Sequence, residues 1–178
     1  EEQEQILALG PMIKELNQRH NLYYHVKPTN YDRPDHVVIG LHIEDKVYGP
    51  MYFGYGMEGK PNARSLVAAD IEKAIMRYGP DTVLLLVKAT AEAIAERMKE
   101  APHKNQVIEE GDIELVLTRF EEEFKASKIA NKMVIDTTAS TVEESVAEFV
   151  EKAEPFFNDR DRLRLLVQKA KDSGGWTG

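Results

Sequence analysis

The stretch Gly54-Tyr55-Gly56-Met57-Glu58-Gly59-Lys60-Pro61 matches the dinucleotide-binding pattern GxGxxG and all but the last position of the phosphate-loop pattern GxxxxGK[ST]. Such a loop would cradle phosphate on backbone N–H groups, with Lys60 reaching the anion. Pro61, however, stands where a hydroxyl should ligate magnesium, and it has no N–H to donate. The residues ahead, Tyr48 to Phe53, include Gly49 and Pro50 instead of a clean strand. The stretch therefore reads as a glycine loop before a helix, with Lys60 kept as a phosphate contact.

A second group is His42-Ile43-Glu44-Asp45, placed at the end of an expected strand Val37 to Leu41. Alternation would set His42 and Glu44 on one side, where a carboxylate can hold magnesium or take a proton from an acceptor hydroxyl. The aromatic cluster Tyr48, Tyr52, Phe53 and Tyr55, beside Arg64, could clasp a planar or sugar ligand, or could be half-buried packing. Arg97, His103, Lys104 and Arg119 surround a polar excursion, Ala101 to Gly111, that suits a lid over a transferring phosphate. Arg97 and Arg119 could equally pair with Glu96, Glu100 or Glu123 at the surface. His20, His25, His36, His42 and His103 lack the HExxH spacing of a zinc site. No metal ligand is assigned.

The elements that must position these groups follow from periodicity. Glu1 to Asn21 reads as helix broken at Gly10-Pro11, with the second part at Met12 to His20. Leu22 to Val26 and Asp35 to Ile43 read as strands. Ala63 to Tyr78 is a helix stopped by Gly79-Pro80. Thr82 to Val87 is a continuous apolar run, as expected of a strand buried on both faces near a sheet centre. Thr90 caps a helix to about Glu100 that buries Ile94 and Met98; Ile113 to Phe124 forms another, and Lys132 to Asp136 is a strand. Thr141 and Glu144 make a capping box for a helix bearing Val142, Val146, Phe149 and Val150. A last helix from Asp159 carries Leu163, Leu166, Val167 and Ala170, and the tail Ser173 to Gly178 should fray. The alternation predicts one α/β domain over residues 1–178, a three-layer, doubly wound, mostly parallel sheet flanked by helices. Ligands in such folds gather at the carboxyl ends of the strands.

Composition bounds the function. The 178 residues suit one domain, and 42% hydrophobic with 30% charged residues is ordinary for a globular chain. The absence of cysteine excludes disulfides and thiol catalysis, and with no signal-peptide pattern or bilayer-length apolar run it points to a cytoplasmic protein. A net charge of −8 argues against nucleic acid or an anionic membrane as partner. Beginning at Glu1 without Met, the chain reads as a fragment of a longer product.

Asp81 to Thr90, then Ile94-Ala95-Glu96-Arg97-Met98 and the polar excursion, resemble the fourth strand, following helix and lid of P-loop kinases of the nucleoside monophosphate, thymidylate and shikimate kinase type. Asp112 to Phe124 is similar to the helix after the lid. Val134-Ile135-Asp136-Thr137-Thr138 with Thr141 to Glu144 looks like the fifth strand and last core helix, and Asp35 to Asp45 would be the third strand. The resemblance spans about Asp35 to Glu154. It implies an ATP-dependent phosphotransferase with ATP and magnesium, acting on a small hydroxyl- or phosphate-bearing acceptor. It implies nucleotide contacts at Arg97, Lys104, Arg119, Thr138 and Ala139, the base lying near Thr137 to Ser140. His42, Glu44, Tyr48, Tyr52, Tyr55, Lys60 and Arg64 would serve the acceptor, with Glu44 and Arg97 catalytic. The family's phosphate loop and first strand are absent before Asp35.

Three accounts compete. The chain is the downstream part of a kinase-like protein; or a non-catalytic nucleotide-binding or assembly module whose sheet edge or apolar patch is covered by a second copy or another chain; or an enzyme whose anion loop is Gly54 to Lys60.

Overall fold

The computed structural model describes residues 2–31, 37–104 and 106–174. Glu2–Ala8 forms α1 and Pro11–His25 forms α2, broken as expected at Gly10-Pro11, with Pro11 in the first helical turn. The strand expected over Leu22 to Val26 is instead the end of α2 and its cap. Leu22 lies two turns beyond Glu15 and Val26 one turn further, and all three are buried, so helical period outweighs the strand preference of a short aromatic run.

Pro28–Tyr31 forms the short α3, and Leu41–Tyr48 forms α4, which runs on as a π-helical turn, Gly49–Phe53. This overturns the strand expected over Asp35 to Ile43. Asp35 and His36 lie outside the described residues, while Val37 to Ile39 are irregular and exposed. Gly40, at φ 80°, turns the chain into α4, where Ile43 and Val47, one turn apart, are buried. Val37 to Ile39 have no strand neighbour among the described residues, so extended pairing has nothing to compete with the helix.

The remaining elements fall where periodicity puts them. Arg64–Tyr78 is α5, Val83–Lys88 β1, Ala91–Glu100 α6, Ile113–Ala126 α7, Asn131–Asp136 β2, Val142–Ala153 α8 and Asp159–Asp172 α9. Short 3₁₀ turns at Glu110–Asp112 and Glu154–Phe156 precede α7 and follow α8. Thr90 caps α6 by accepting from the Ala93 N–H, and Thr141 with Glu144 forms the predicted box at α8.

The doubly wound sheet does not form. Among the described residues the only sheet is β1 paired in parallel with β2, in register from Val83 opposite Asn131 to Lys88 opposite Asp136, and the rest of the regular structure is helical. Two of the four expected strands are helical or irregular, so β1, expected at the centre, has one strand neighbour and leaves Val87 58% exposed. Ile94 and Met98 of α6 are only half-buried. The main core is Leu22 and Val26 of α2, Val67, Ile71 and Ile75 of α5, and Ile129 before β2. The apolar faces of α8 and α9 form as helices but are not covered: Val146, Val150, Leu163 and Leu166 are exposed.

Candidate functional site

Two polar clusters sit on this frame. The first is at the carboxyl ends of β1 and β2. The ladder is extended by Thr137, whose N–H and hydroxyl both donate to the Lys88 carbonyl, at 2.8 and 3.1 Å. Asp136 accepts from the Thr138 N–H at 3.0 Å and its hydroxyl at 2.6 Å, bonds that hold the carboxyl below its usual range. The Thr138 oxygen in turn accepts from the Thr90 N–H at 3.2 Å, stitching the turn after β2 to the start of α6. Arg97, one face of α6 further on, donates from Nη1 to the Thr137 hydroxyl at 3.2 Å and from Nη2 to the Thr137 carbonyl. A guanidinium is thus fixed on the rim of the strand ends, with N–H groups still unused.

The second cluster is buried between α2, α4, the π-helical turn and α5. Arg64 is 1% exposed. Its Nη1 donates to Glu15 at 2.9 Å and its Nε lies 2.7 Å from Asp45 Oδ2, off the hydrogen-bond axis, so that contact is an ion pair only. Its guanidinium stacks 4.6 Å from the centre of the Tyr55 ring, and the Tyr55 hydroxyl donates to Asp45 Oδ1 at 2.8 Å. Burial raises Asp45 despite the Tyr55 bond and Arg64, and burial with the Asp45 charge raises the Tyr55 phenol. Nearby, His42 Nε2 lies 3.3 Å from Glu72, which also accepts from the Lys128 N–H. Burial pushes Glu72 up, but the bonds from His42, Ser127 and Lys128 outweigh it and hold the carboxyl at about 2. An ionised Glu72 can only accept, so Nε2 is the donor in that contact, and Nδ1 is left without a partner.

Above this network lies a cavity of about 290 Å³, lined by Ile6, Leu7, Leu9, Lys14, Asn17 and Gln18 on one side and Glu44, Asp45, Tyr48, Phe53 and Tyr55 on the other. Glu44 is half-buried, and burial followed by the Asp45 charge raises its pKa. Such a carboxylate is closer to the range of a general base than a solvated one.

The glycine loop does not form a phosphate cradle. Gly56 accepts from the Arg64 N–H at 2.9 Å, and its φ of 78° brings the backbone so close that a Cβ would lie 2.4 Å from Arg64 Cγ. The Glu58 carboxylate accepts from the Ser65 hydroxyl in the first turn of α5, filling with the loop's own negative charge the place an anion would seek. Lys60 is exposed. The loop is a lid on Arg64.

Glu44, Tyr48, Tyr55 and, through Asp45, Arg64 are therefore brought together at the cavity. His42 is one step removed, tied to Glu72. Tyr52 donates to Asp112 at 3.0 Å, and burial followed by that bond pushes its phenol up to about 12. Arg97, Thr138 and Ala139 share the strand-end rim, whereas Lys104 is exposed on the excursion, whose Asn105 is outside the described residues. Arg119 is exposed on α7 and donates to Glu122 at 3.4 Å. The sequence reading missed Glu15, Glu72, Lys14, Asn17 and Gln18. Glu15 and Glu72 carry a readable signal, since each lies on an apolar helical stripe, Glu15 two turns before Leu22 and Glu72 between Ala68 and Ile75.

The 3₁₀ turn before α7 is tied to α6 by Lys99, which donates to Glu110 at 2.8 Å, and to the π-helical turn by Tyr52, which donates to Asp112. Among the described residues no three His, Asp or Glu side chains converge as a metal site, and no helix is long and apolar enough to cross a membrane. No family model, curated protein or solved structure matches the chain.

Proposed function

We propose that the chain is the nucleotide- and acceptor-binding part of an ATP-dependent phosphotransferase. The observation that supports this most is Arg97 anchored to Thr137 at the carboxyl ends of two parallel strands, the place where ligands collect in parallel sheets. There its remaining N–H groups meet the phosphates of ATP, while Thr138 and Ala139 border the base. Magnesium arrives on the nucleotide's own phosphates, where it would neutralise charge on the transferring group. The acceptor lies in the cavity with its hydroxyl at Glu44, against Tyr48 and Tyr55. Glu44 takes the hydroxyl proton as the acceptor oxygen bonds to the γ-phosphorus, and the bond to ADP breaks with its electron pair on the leaving oxygen.

Thermal unfolding with ATP and magnesium tests this. Saturation a hundredfold above Kd stabilises by about 2.7 kcal/mol, or roughly 5–11 °C for a chain of this size. Arg97→Ala should lose most of that shift. An identical shift in Arg97→Ala, or none in either protein at 10-fold millimolar excess, contradicts the reading.

A second reading, a non-catalytic assembly module, is favoured by the uncovered apolar faces of α8 and α9 and by the single strand neighbour of β1. It predicts concentration-dependent mass in sedimentation and no nucleotide response.

A further inference from the structure

The cavity is built from two kinds of wall. The walls given by α2, α4 and the π-helical turn are anchored, because Glu15 is tied to buried Arg64, and Pro11 packs against Gly54, where a Cβ would sit 3.3 Å from Pro11 Cγ. The remaining wall is Ile6, Leu7 and Leu9, at 52%, 47% and 38% exposure, neither buried in the cavity nor turned away from it.

Between these walls stands one joint. The last bond of the α1 end runs from the Leu9 N–H to the Ile6 carbonyl, and the first bonds of α2 run from the Ile13 and Lys14 N–H groups to the Gly10 carbonyl. Pro11 brings no N–H and fixes its own φ, so the rotation left is at Gly10. Nothing lies within 4 Å of where a Gly10 Cβ would be, so the joint itself is exposed and unpacked.

We propose that α1 is a hinged cover, turning at Gly10 on anchored α2, that closes the cavity over a small ligand by laying Ile6, Leu7 and Leu9 across it. Closure excludes water from half-buried Glu44, and opening admits the ligand. The cover does not depend on the phosphotransferase reading, since access to the cavity can be measured without any reaction.

The chain has no cysteine, so single thiols report access cleanly. Phe53→Cys places a thiol in the cavity, Lys60→Cys one on the exposed loop, and Ile71→Cys one in the core. With 5,5′-dithiobis(2-nitrobenzoate), the thiol at 53 should react at least tenfold more slowly than that at 60 and at least tenfold faster than that at 71. Adding Leu7→Glu, which charges the cover's seat, should raise the rate at 53 at least fivefold, while the equally exposed Leu165→Glu on α9 changes it less than twofold. A rate at 53 equal to that at 60 means no cover, one equal to that at 71 means a sealed wall, and insensitivity to Leu7→Glu means α1 does not gate access; each overturns the proposal. Should Phe53→Cys or Ile71→Cys fail to fold, Gln18→Cys replaces the first, and hydrogen exchange of the Ile71 amide replaces the second as the marker of global unfolding.

Discussion

Replacing Arg64 with methionine keeps much of the side-chain volume and removes the charge. It deletes the 2.9 Å bond to Glu15, the 2.7 Å ion pair with Asp45 and the stacking on Tyr55. The Asp45 and Glu15 carboxylates, 1% and 5% exposed, are then left without their shared cation. Breaking a buried pair in this way costs about 3–5 kcal/mol, chiefly from the charge left behind. At roughly 2–4 °C per kcal/mol for a chain of this length, the midpoint of thermal unfolding falls by about 6–20 °C. The pH dependence has a definite sign. Burial already raises Asp45, and without the guanidinium its carboxylate binds a proton still more readily in the folded than in the unfolded chain, so the deficit is full near pH 7 and shrinks as pH falls toward 5. Urea unfolding of wild type, Arg64→Met and the triple variant Arg64→Met, Asp45→Asn, Glu15→Gln at both pH values measures it, and the triple variant should recover at least half the loss. A loss under about 1 kcal/mol for Arg64→Met, or a deficit that grows in acid, refutes the reasoning.

Three further outcomes follow from single contacts. Glu72, held at about 2 against an ordinary 4.5, contributes roughly 3 kcal/mol that is complete above pH 4.5 and lost as pH falls toward 2, so Glu72→Gln should be clearly less stable at pH 7 and nearly level with wild type at pH 2 in chemical denaturation. Gly56→Ala should cost more than Gly59→Ala in the same assay: both sit at positive φ, worth about 1–2 kcal/mol, but only the first drives a methyl into Arg64. Thr141→Ala removes the cap of α8 and should cost about 1 kcal/mol, with faster amide exchange confined to the first turn of that helix.

The helices from α5 onward were legible because their apolar spacing and caps are local: α5, α6 and α7 begin and end within a residue or two of where periodicity puts them, and α8 starts at its capping box. The two failed strands, Leu22 to Val26 and Asp35 to Ile43, are β-rich by composition but lack strand neighbours, which a sequence window does not contain. The sheet class was inferred from counting those runs and fell with them. At the sites, Arg97, singled out for the polar excursion, and Thr138, implied by the kinase resemblance, do lie together at the strand ends, and Tyr48 and Tyr55, singled out as an aromatic cluster, do line one cavity. The glycine loop misled, because the pattern cannot say whether its backbone faces a phosphate or, as at Gly56, the side chain of Arg64. Glu15 was illegible as a partner because it comes to Arg64 from a helix far away in the chain.

The central claim is that a nucleotide sits on the strand ends beside Arg97. Photolabelling with 8-azidoadenosine triphosphate and magnesium, followed by peptide mass mapping, addresses it directly. Modification centred on Thr137 to Ser140, competed by ATP and lost in Arg97→Ala, is the predicted result. Labelling confined to other segments, or unchanged by excess ATP, contradicts it.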